Sequence, residues 1–341
     1  MTNSIMTNGK VDKRQAVATE GLCVLVTGAT GFVGSAIAEH CRRAGMVVKT
    51  MGRKAPATDS PDGYVQADIT KPESLASVMS DVDCVVHSAG LAHQFNKTDD
   101  ELFIRNNIEG TANVAQAAAN AGVKHFVLIS SITVYGAKDS ANCDESAPCE
   151  PKTFYAESKL RAEERAQEII GPTGACLTIL RLSVVYGEGD GGNILRLMRT
   201  IDRRRFVWIG RGENRKTIVH RDDVARACVT VLSRECQGIS IYNLCGYAPR
   251  MRELVEIMSR ALGRKPPRWH IPQGLALMLS KTATVLTGGH AKFITQHEVI
   301  KKWLINDLFD GQKFRRDYGF EPQVSLEEGL RREVEWYRRR N

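Results

Sequence analysis

Three glycines, Gly28, Gly31 and Gly34, stand three residues apart directly after the apolar run Leu22-Cys23-Val24-Leu25-Val26. A helix-like stretch from Ser35 to Arg43 follows at once. A buried strand, a glycine turn and a helix in that order constrain the architecture strongly. The first glycine permits a tight bend, the second lets a pyrophosphate approach the backbone, and the third lets the helix pack close to the sheet. The amides at the helix N-terminus are then free to meet phosphate oxygens. The segment Gly28-Ala29-Thr30-Gly31-Phe32-Val33-Gly34 is therefore read as a dinucleotide site, with Gly-x-x-Gly-x-x-Gly spacing.

The same alternation continues. Val82–His87, His125–Ser130 and Cys176–Leu180 read as parallel-sheet strands, and the Ala-rich stretch from Thr111 to Ala121 reads as a helix. Repeated strand–helix–strand units predict an α/β fold, a Rossmann-type doubly wound parallel sheet. The expected organisation is a disordered extension over 1–20, a dinucleotide-binding domain over 21–185, and a smaller mixed substrate lobe over 186–341 that crosses back to the sheet. Leu275, Met278, Leu279, Thr282 and Leu286 share one helical face, but the stretch is too short and too polar to span a bilayer. Core or dimer packing is the expectation for it, with a membrane-surface helix as the alternative.

Nine cysteines without a Cys-x-x-Cys pair point to free thiols in a reducing compartment, with neither disulfide nor metal site. Met1 to Glu20 is polar and lacks an apolar signal core, so a cytoplasmic location is expected. The net charge of +8 is carried partly by Arg203–Arg205 and Arg338–Arg340. Both runs are short and no nucleic-acid motif accompanies them, so each reads as a solvated face.

Tyr155 and Lys159 are four residues apart and share one face of a helix. A free phenol titrates near ~10 and is a weak base at neutral pH. A neighbouring ammonium favours the phenolate and brings proton transfer into range. Ser131, at the end of the preceding strand, completes a candidate catalytic set.

The glycine turn, Ser131 and Tyr155-x-x-x-Lys159 together resemble the extended short-chain dehydrogenase/reductase superfamily, in its NAD-dependent epimerase/dehydratase branch. The resemblance runs from about Leu22 to Tyr337 and includes His87-Ser-Ala-Gly90, Asn107-Ile-Glu-Gly-Thr111 and Arg181–Gly187. It implies that Asp68 and Ile69 contact adenine and that Ala89 and Gly90 line the cofactor cleft, with Asn107 beside it. It implies that Lys159 bonds the nicotinamide ribose and that Ser131, with Thr133, holds the substrate oxygen. It also implies a homodimer formed through the helices containing Asn107–Ala121 and Tyr155–Ile170. Sugar 4,6-dehydratases of the superfamily carry an Asp-Glu pair where this chain has Ile132 and Thr133. Related decarboxylases need a glutamate at Thr133, and epimerase–reductases of the GDP-fucose-synthase type need a cysteine at Ile132. Simple alcohol–ketone hydride chemistry remains.

The segments around Asn193, Trp208, Ile209 and Arg215 resemble the nucleotide-binding parts of UDP-sugar epimerases. Asn193 would meet the pyrophosphate, Trp208 or Ile209 the uracil, and Arg215 (or Lys216) a phosphate. Asp222-Asp223 reads as a helix cap. The implied function is a nucleotide-sugar 4-epimerase or 4-ketoreductase. The alternative is a dehydrogenase of a hydrophobic alcohol, resembling 3β-hydroxysteroid dehydrogenases or dihydroflavonol reductases. A non-catalytic NADP-sensing protein of this fold would not need Ser131, Tyr155 and Lys159. For the cofactor, Gly52-Arg53-Lys54 at the end of the second strand lacks the carboxylate typical of NAD sites, so charge favours NADP(H), whereas epimerases of the family hold NAD.

Overall fold

The computed structural model describes residues 16–53, 63–92, 100–136, 143–276, 278 and 304–340. The apolar runs become strands β1 (Cys23–Thr27), β2 (Val47–Gly52), β3 (Tyr64–Gln66), β4 (Cys84–His87), β5 (His125–Ser131) and β6 (Cys176–Leu182). Three short strands follow, β7 (Val184–Tyr186), β8 (Trp208–Ile209) and β9 (Ile218–His220), then β10 (Ile239–Leu244) and β11 (His270–Ile271). Seven of these form one sheet in the order β10-β6-β5-β4-β1-β2-β3, and all its pairings are parallel. The doubly wound α/β expectation is met.

Strand alternation sends successive side chains to opposite faces of the sheet, which explains why the strands are apolar throughout. Val24, Val26, Val86, Val127 and Ile129 enter one core with Ile37 of α1 (Phe32–Arg43) and Val224 of α6 (Arg221–Leu232). Leu25, Val85, Phe126 and Leu128 enter the other, against Val114 of α3 (Gly110–Asn120) and Ala166 of α4 (Phe154–Ile170). A third core joins α5 (Asn193–Asp202), α7 (Met251–Ala261) and the helix Leu326–Arg340 around Met198, Met258 and Leu330. The sheet order reverses direction between β1 and β4, and a crevice at the C-terminal ends of such strands is where ligands bind.

Several details depart from expectation. The helix bearing Asn107 does not start there. It runs from α2 (Asp100–Phe103) through a π-helical segment, Ile104–Glu109, into α3. Residues 16–20, expected as part of a disordered tail, are tied down. Val17 N donates to Ser233 O, and Thr19 Oγ1 donates to Ala44 O. Cys176 and Cys236, expected as separate thiols, are brought side by side, with Cα atoms 5.8 Å apart, a separation that a disulfide spans. The parallel pairing of Leu177 with Ile239 brings these residues together across 60 positions of sequence. The α6 cap is His220, whose Nδ1 accepts from Asp222 N, while Asp223 accepts from Gln323 N and Val324 N. Of the apolar helical face, Leu275 and Met278 are described and exposed, while Leu279, Thr282 and Leu286 lie outside the described residues. No helix among the described residues is long and apolar enough to cross a membrane.

The third glycine of the turn shows how closely α1 meets the strand end. A Cβ at Gly34 would lie 2.3 Å from Gly28 O and 2.8 Å from its carbonyl carbon, both unyielding backbone. Gly34→Ala should therefore push the helix off the turn and cost about 1–3 kcal/mol. Urea denaturation would show this as a lower midpoint with an unchanged slope; an unchanged midpoint would contradict the packing described.

Candidate active site

The loops after β1 and β4 touch at the sheet's C-terminal edge. Gly28 adopts φ +67°, and a Cβ there would sit 2.8 Å from Ala89 N and Cα. Ala89 N in turn donates to Thr27 Oγ1 at 3.1 Å. Gly31 caps α1 with extended backbone and without a side-chain acceptor, and no acidic residue occupies the first turn. The amides of a 12-residue helix thus face an exposed turn containing Thr30 and Gly31. This donor set fits the pyrophosphate of a dinucleotide. Phe32 and Val33 are half-buried behind it, and the Arg221 guanidinium lies 5.9 Å from the Phe32 ring.

The remaining residues expected around the cofactor divide into two kinds. Asp68 and Ile69 follow β3. Burial alone would raise the Asp68 carboxyl, but two hydrogen bonds from Thr70 and the charges of Arg53 and Lys71 hold it below the usual range. Arg53 itself is exposed, and Lys54 lies outside the described residues. Ile69 is buried beneath Gly110, where a Cβ would lie 2.7 Å from Ile69 Cδ1. Asn107, in contrast, is committed to the protein. Its Oδ1 accepts from Leu91 N at 2.7 Å, and its Nδ2 donates to Leu91 O and to Ser158 Oγ. A Cβ on Gly90 would come within 2.9 Å of that Oδ1. Asn107 therefore fixes the loop after β4 against α4, and the π-helical segment turns it inward. His87 was not expected from sequence. It bridges Thr27 Oγ1 and Thr111 Oγ1, and burial with the nearby Lys159 charge pulls it to about 3, so it is neutral.

Ser131 ends β5, and Tyr155 and Lys159 project from the first turns of α4, whose cap is the Thr153 hydroxyl. Ser131 Oγ accepts from both Thr133 N (3.2 Å) and Thr133 Oγ1 (3.0 Å). Both lone pairs are then used, and the serine's own proton is left for its hydrogen bond to the Tyr155 phenol. Burial raises the Tyr155 pKa and this bond partly reverses the rise. Lys159 Nζ donates to Ile129 O at 2.6 Å. Burial pulls the Lys159 ammonium down to about 8 against the opposing charge of Glu163. Ile132, at the place of a dehydratase acid, is buried among Val134, Tyr135 and Cys143.

A polar network beneath α4 was also not foreseen. Arg181 forms a bidentate pair with Glu163 at 2.7–3.2 Å, and Ser130 donates to the same carboxylate. Arg181 Nη1 donates to Tyr135 OH, which donates to Asn243 Oδ1. Only tertiary structure brings these residues together.

The residues expected to hold substrate are scattered. Asn193 is exposed at the start of α5, whose N-cap is Gly192, and Asp190 just before it accepts from Gly192 N and Leu195 N. Trp208 is turned into the core, with its Nε1 donating to Pro267 O, so the uracil-facing role fails for it. Ile209 does line an open cleft of about 760 Å³, with Arg211, Asn214, His270, Ile271 and Asn306. Arg215 and Lys216 are absent from that lining. Arg215 is exposed and held through its backbone by Asn306 and Asp307, and Lys216 pairs with Asp307 at 2.6 Å. Arg211 is the cation at the cleft among the described residues. The segment containing Asn306 continues to Phe309, whose ring lies 5.9 Å from that of Tyr135 just beyond Ser131.

Comparison with known proteins agrees with this fold. The model of the NAD dependent epimerase/dehydratase family matches residues 24–245. An Escherichia coli O157:H7 protein, N-acetyl-alpha-D-glucosaminyl-diphospho-ditrans,octacis-undecaprenol 4-epimerase, is 29% identical over 319 residues, 92% of this chain and 94% of that one. The UDP-glucose 4-epimerase of Vibrio cholerae is 27% identical over 260 residues, 73% of this chain and 78% of its own. Among solved structures, MoeE5 in complex with UDP-glucuronic acid and NAD superimposes with a TM-score of 0.73 at 25% identity, covering 94% of this chain and all of that one.

Burying Lys159 has a measurable cost. Its pKa falls from 10.5 unfolded to about 8 folded, so below pH 8 both states are charged and the folded one bears the desolvation penalty. Between pH 8 and 10.5 the unfolded chain holds more protons, and stability rises with pH. Lys159→Met should therefore stabilise the fold at pH 7, by up to about 3 kcal/mol, with the gain shrinking towards pH 10.5. Urea midpoints across that range would test it; a variant equally or less stable at pH 7 would contradict it.

Proposed function

Because this chain belongs to the NAD dependent epimerase/dehydratase family of the extended short-chain dehydrogenase/reductase superfamily, we propose that it is a 4-epimerase of a diphosphate-linked sugar. The observation carrying this reading is the hydrogen bond between Ser131 and Tyr155. Thr133 occupies both acceptor positions of Ser131, so the serine proton supports a phenolate at Tyr155. Tyr155 takes the proton of the sugar hydroxyl on oxidation and returns it on reduction, and Ser131 would share its own proton between the Tyr155 oxygen and that sugar oxygen. Bound NAD would supply the hydride acceptor and afterwards the hydride donor. Lys159, with its ammonium buried beside the tyrosine's helix, would release Ile129 O to hold the nicotinamide ribose.

The turn Gly28–Gly34, including Thr30, Phe32 and Val33, would hold the pyrophosphate. Asp68 and Ile69 would face adenine, with Ala89 and Gly90 lining the cleft and Asn107 positioning that loop. NAD is preferred to NADP(H): the Arg53 charge acts on Asp68, and MoeE5 is complexed with NAD. Without an acid or base at Ile132 or Thr133, dehydration is unsupported. Arg211, Asn214 and Asn306 make the cleft suited to a diphosphate. The relatives divide over what the diphosphate carries, a nucleoside in one case and a polyprenyl lipid in the other.

Two assays separate these carriers: 4-epimerisation of UDP-N-acetylglucosamine and of polyprenyl-diphosphate N-acetylglucosamine. Turnover of either supports the reading, and the faster one names the carrier. Tyr155→Phe should lower turnover by about 10²–10⁴-fold while leaving cofactor binding intact. Full activity in that variant would overturn the mechanism.

A further inference from the structure

The two arginine runs that look like unrelated solvated faces in sequence come to one place. Asp202, at the end of α5, accepts from Arg264 at 3.0 Å and from Tyr337 at 3.1 Å. This joins the chain before Arg203–Arg205, the turn after α7 and the end of the helix Leu326–Arg340. A Cβ on Gly263 would lie 3.8 Å from the Arg338 guanidinium. Lys265 and Arg268 follow Arg264 in the same segment. Arg203, Arg204, Arg205, Lys265, Arg268, Arg338 and Arg339 are all exposed, and none has an ion-pair partner among the described residues.

Exposed apolar side chains adjoin these cations along the chain, Val207 two residues after Arg205 and Trp269 directly after Arg268. In the β8–β11 pair, His270 aligns with Trp208, and their rings stack 6.0 Å apart. Trp208 N donates to Trp269 O, which keeps the preceding residues side by side. Alternation then turns Val207 and Trp269 away from the buried Trp208. Val207 is 41% exposed and Trp269 80%. Leu275 and Met278, just beyond β11, are 43% and 58% exposed. These four are half of the eight large apolar side chains left exposed among the described residues. A merely solvated basic surface has no use for them.

We infer that this face docks on an anionic lipid bilayer. Charge complementarity selects the occupant: arginines and lysines without ion-pair partners among the described residues are attracted to anionic headgroups, while an exposed Trp with aliphatic neighbours suits the headgroup–acyl boundary. A nucleic acid would use the cations but would leave Val207, Leu275 and Met278 without a role. The cleft begins on the next residues of the same strands, at Ile209, His270 and Ile271, so docking sets its rim at the membrane surface. This surface rests on its own geometry and does not depend on the reaction proposed above.

The test is co-sedimentation of the full chain with vesicles of phosphatidylcholine alone and of phosphatidylcholine mixed with phosphatidylglycerol. The protein should pellet with the mixed vesicles only and be released by high salt. Trp269→Ser and the pair Arg204→Glu/Arg205→Glu should each weaken binding about tenfold or more. All three positions are exposed, and unchanged thermal unfolding would show that the variants fold. No binding to the mixed vesicles, equal binding to neutral ones, undiminished binding by the variants, or binding to heparin or nucleic acid without vesicle binding would each overturn the inference.

Discussion

The buried ion pair between Glu163 and Arg181 is the contact on which the site's geometry depends. Both side chains are almost fully buried, at 1% and 5% exposure. Such a pair adds little net stability over apolar packing, but removing either partner strands a charge. Its value here is positional. Glu163 lies one turn beyond Lys159 on α4, while Arg181 lies on β6 and Ser130, bonded to the same carboxylate, lies on β5. The pair therefore fixes the register of the helix carrying Tyr155 and Lys159 against the strand carrying Ser131. Tyr135 and Asn243 extend the same constraint to β10 and to the carbonyls of Cys143 and Asp310.

Within that frame, hydrogen-bond direction matters more than proximity. Burial disfavours charge on both Tyr155 and Lys159, raising one pKa and lowering the other. In the proposed mechanism the chain's own contribution to phenolate is the Ser131 proton, with Thr133 supplying two donors that Ser131 accepts. Thr133 thus works through Ser131. His87 plays a comparable part at the cofactor crevice, kept neutral by burial and linking β1, β4 and α3 through two hydroxyls.

Much of this was legible in the sequence, for physical reasons that also mark its limits. The glycine turn is local: sterics at Gly28 and Gly34 demand glycine wherever a strand and helix meet so closely. Continuous apolar runs report strands buried on both faces, and four-residue spacing puts Tyr155 and Lys159 on one side of a helix. The Glu163–Arg181 pair and the approach of Cys176 to Cys236 depend on sheet order, which no local pattern encodes. Trp208 and Val207 show the failure at finest scale. In a strand as short as β8, one step of register decides which side chain is core and which faces solvent. Arg215 was displaced from the cleft in the same way, with Arg211 in its place four residues earlier. The basic runs were dismissed separately because their convergence around Asp202 is tertiary.

The central claim is a closed redox cycle in which the cofactor never leaves. Mass spectrometry of the small molecules released when the freshly purified protein is denatured tests it most directly. The account predicts NAD at close to one per chain. An empty site, or NADP(H) in its place, would contradict it and indicate a cofactor that exchanges with each turnover.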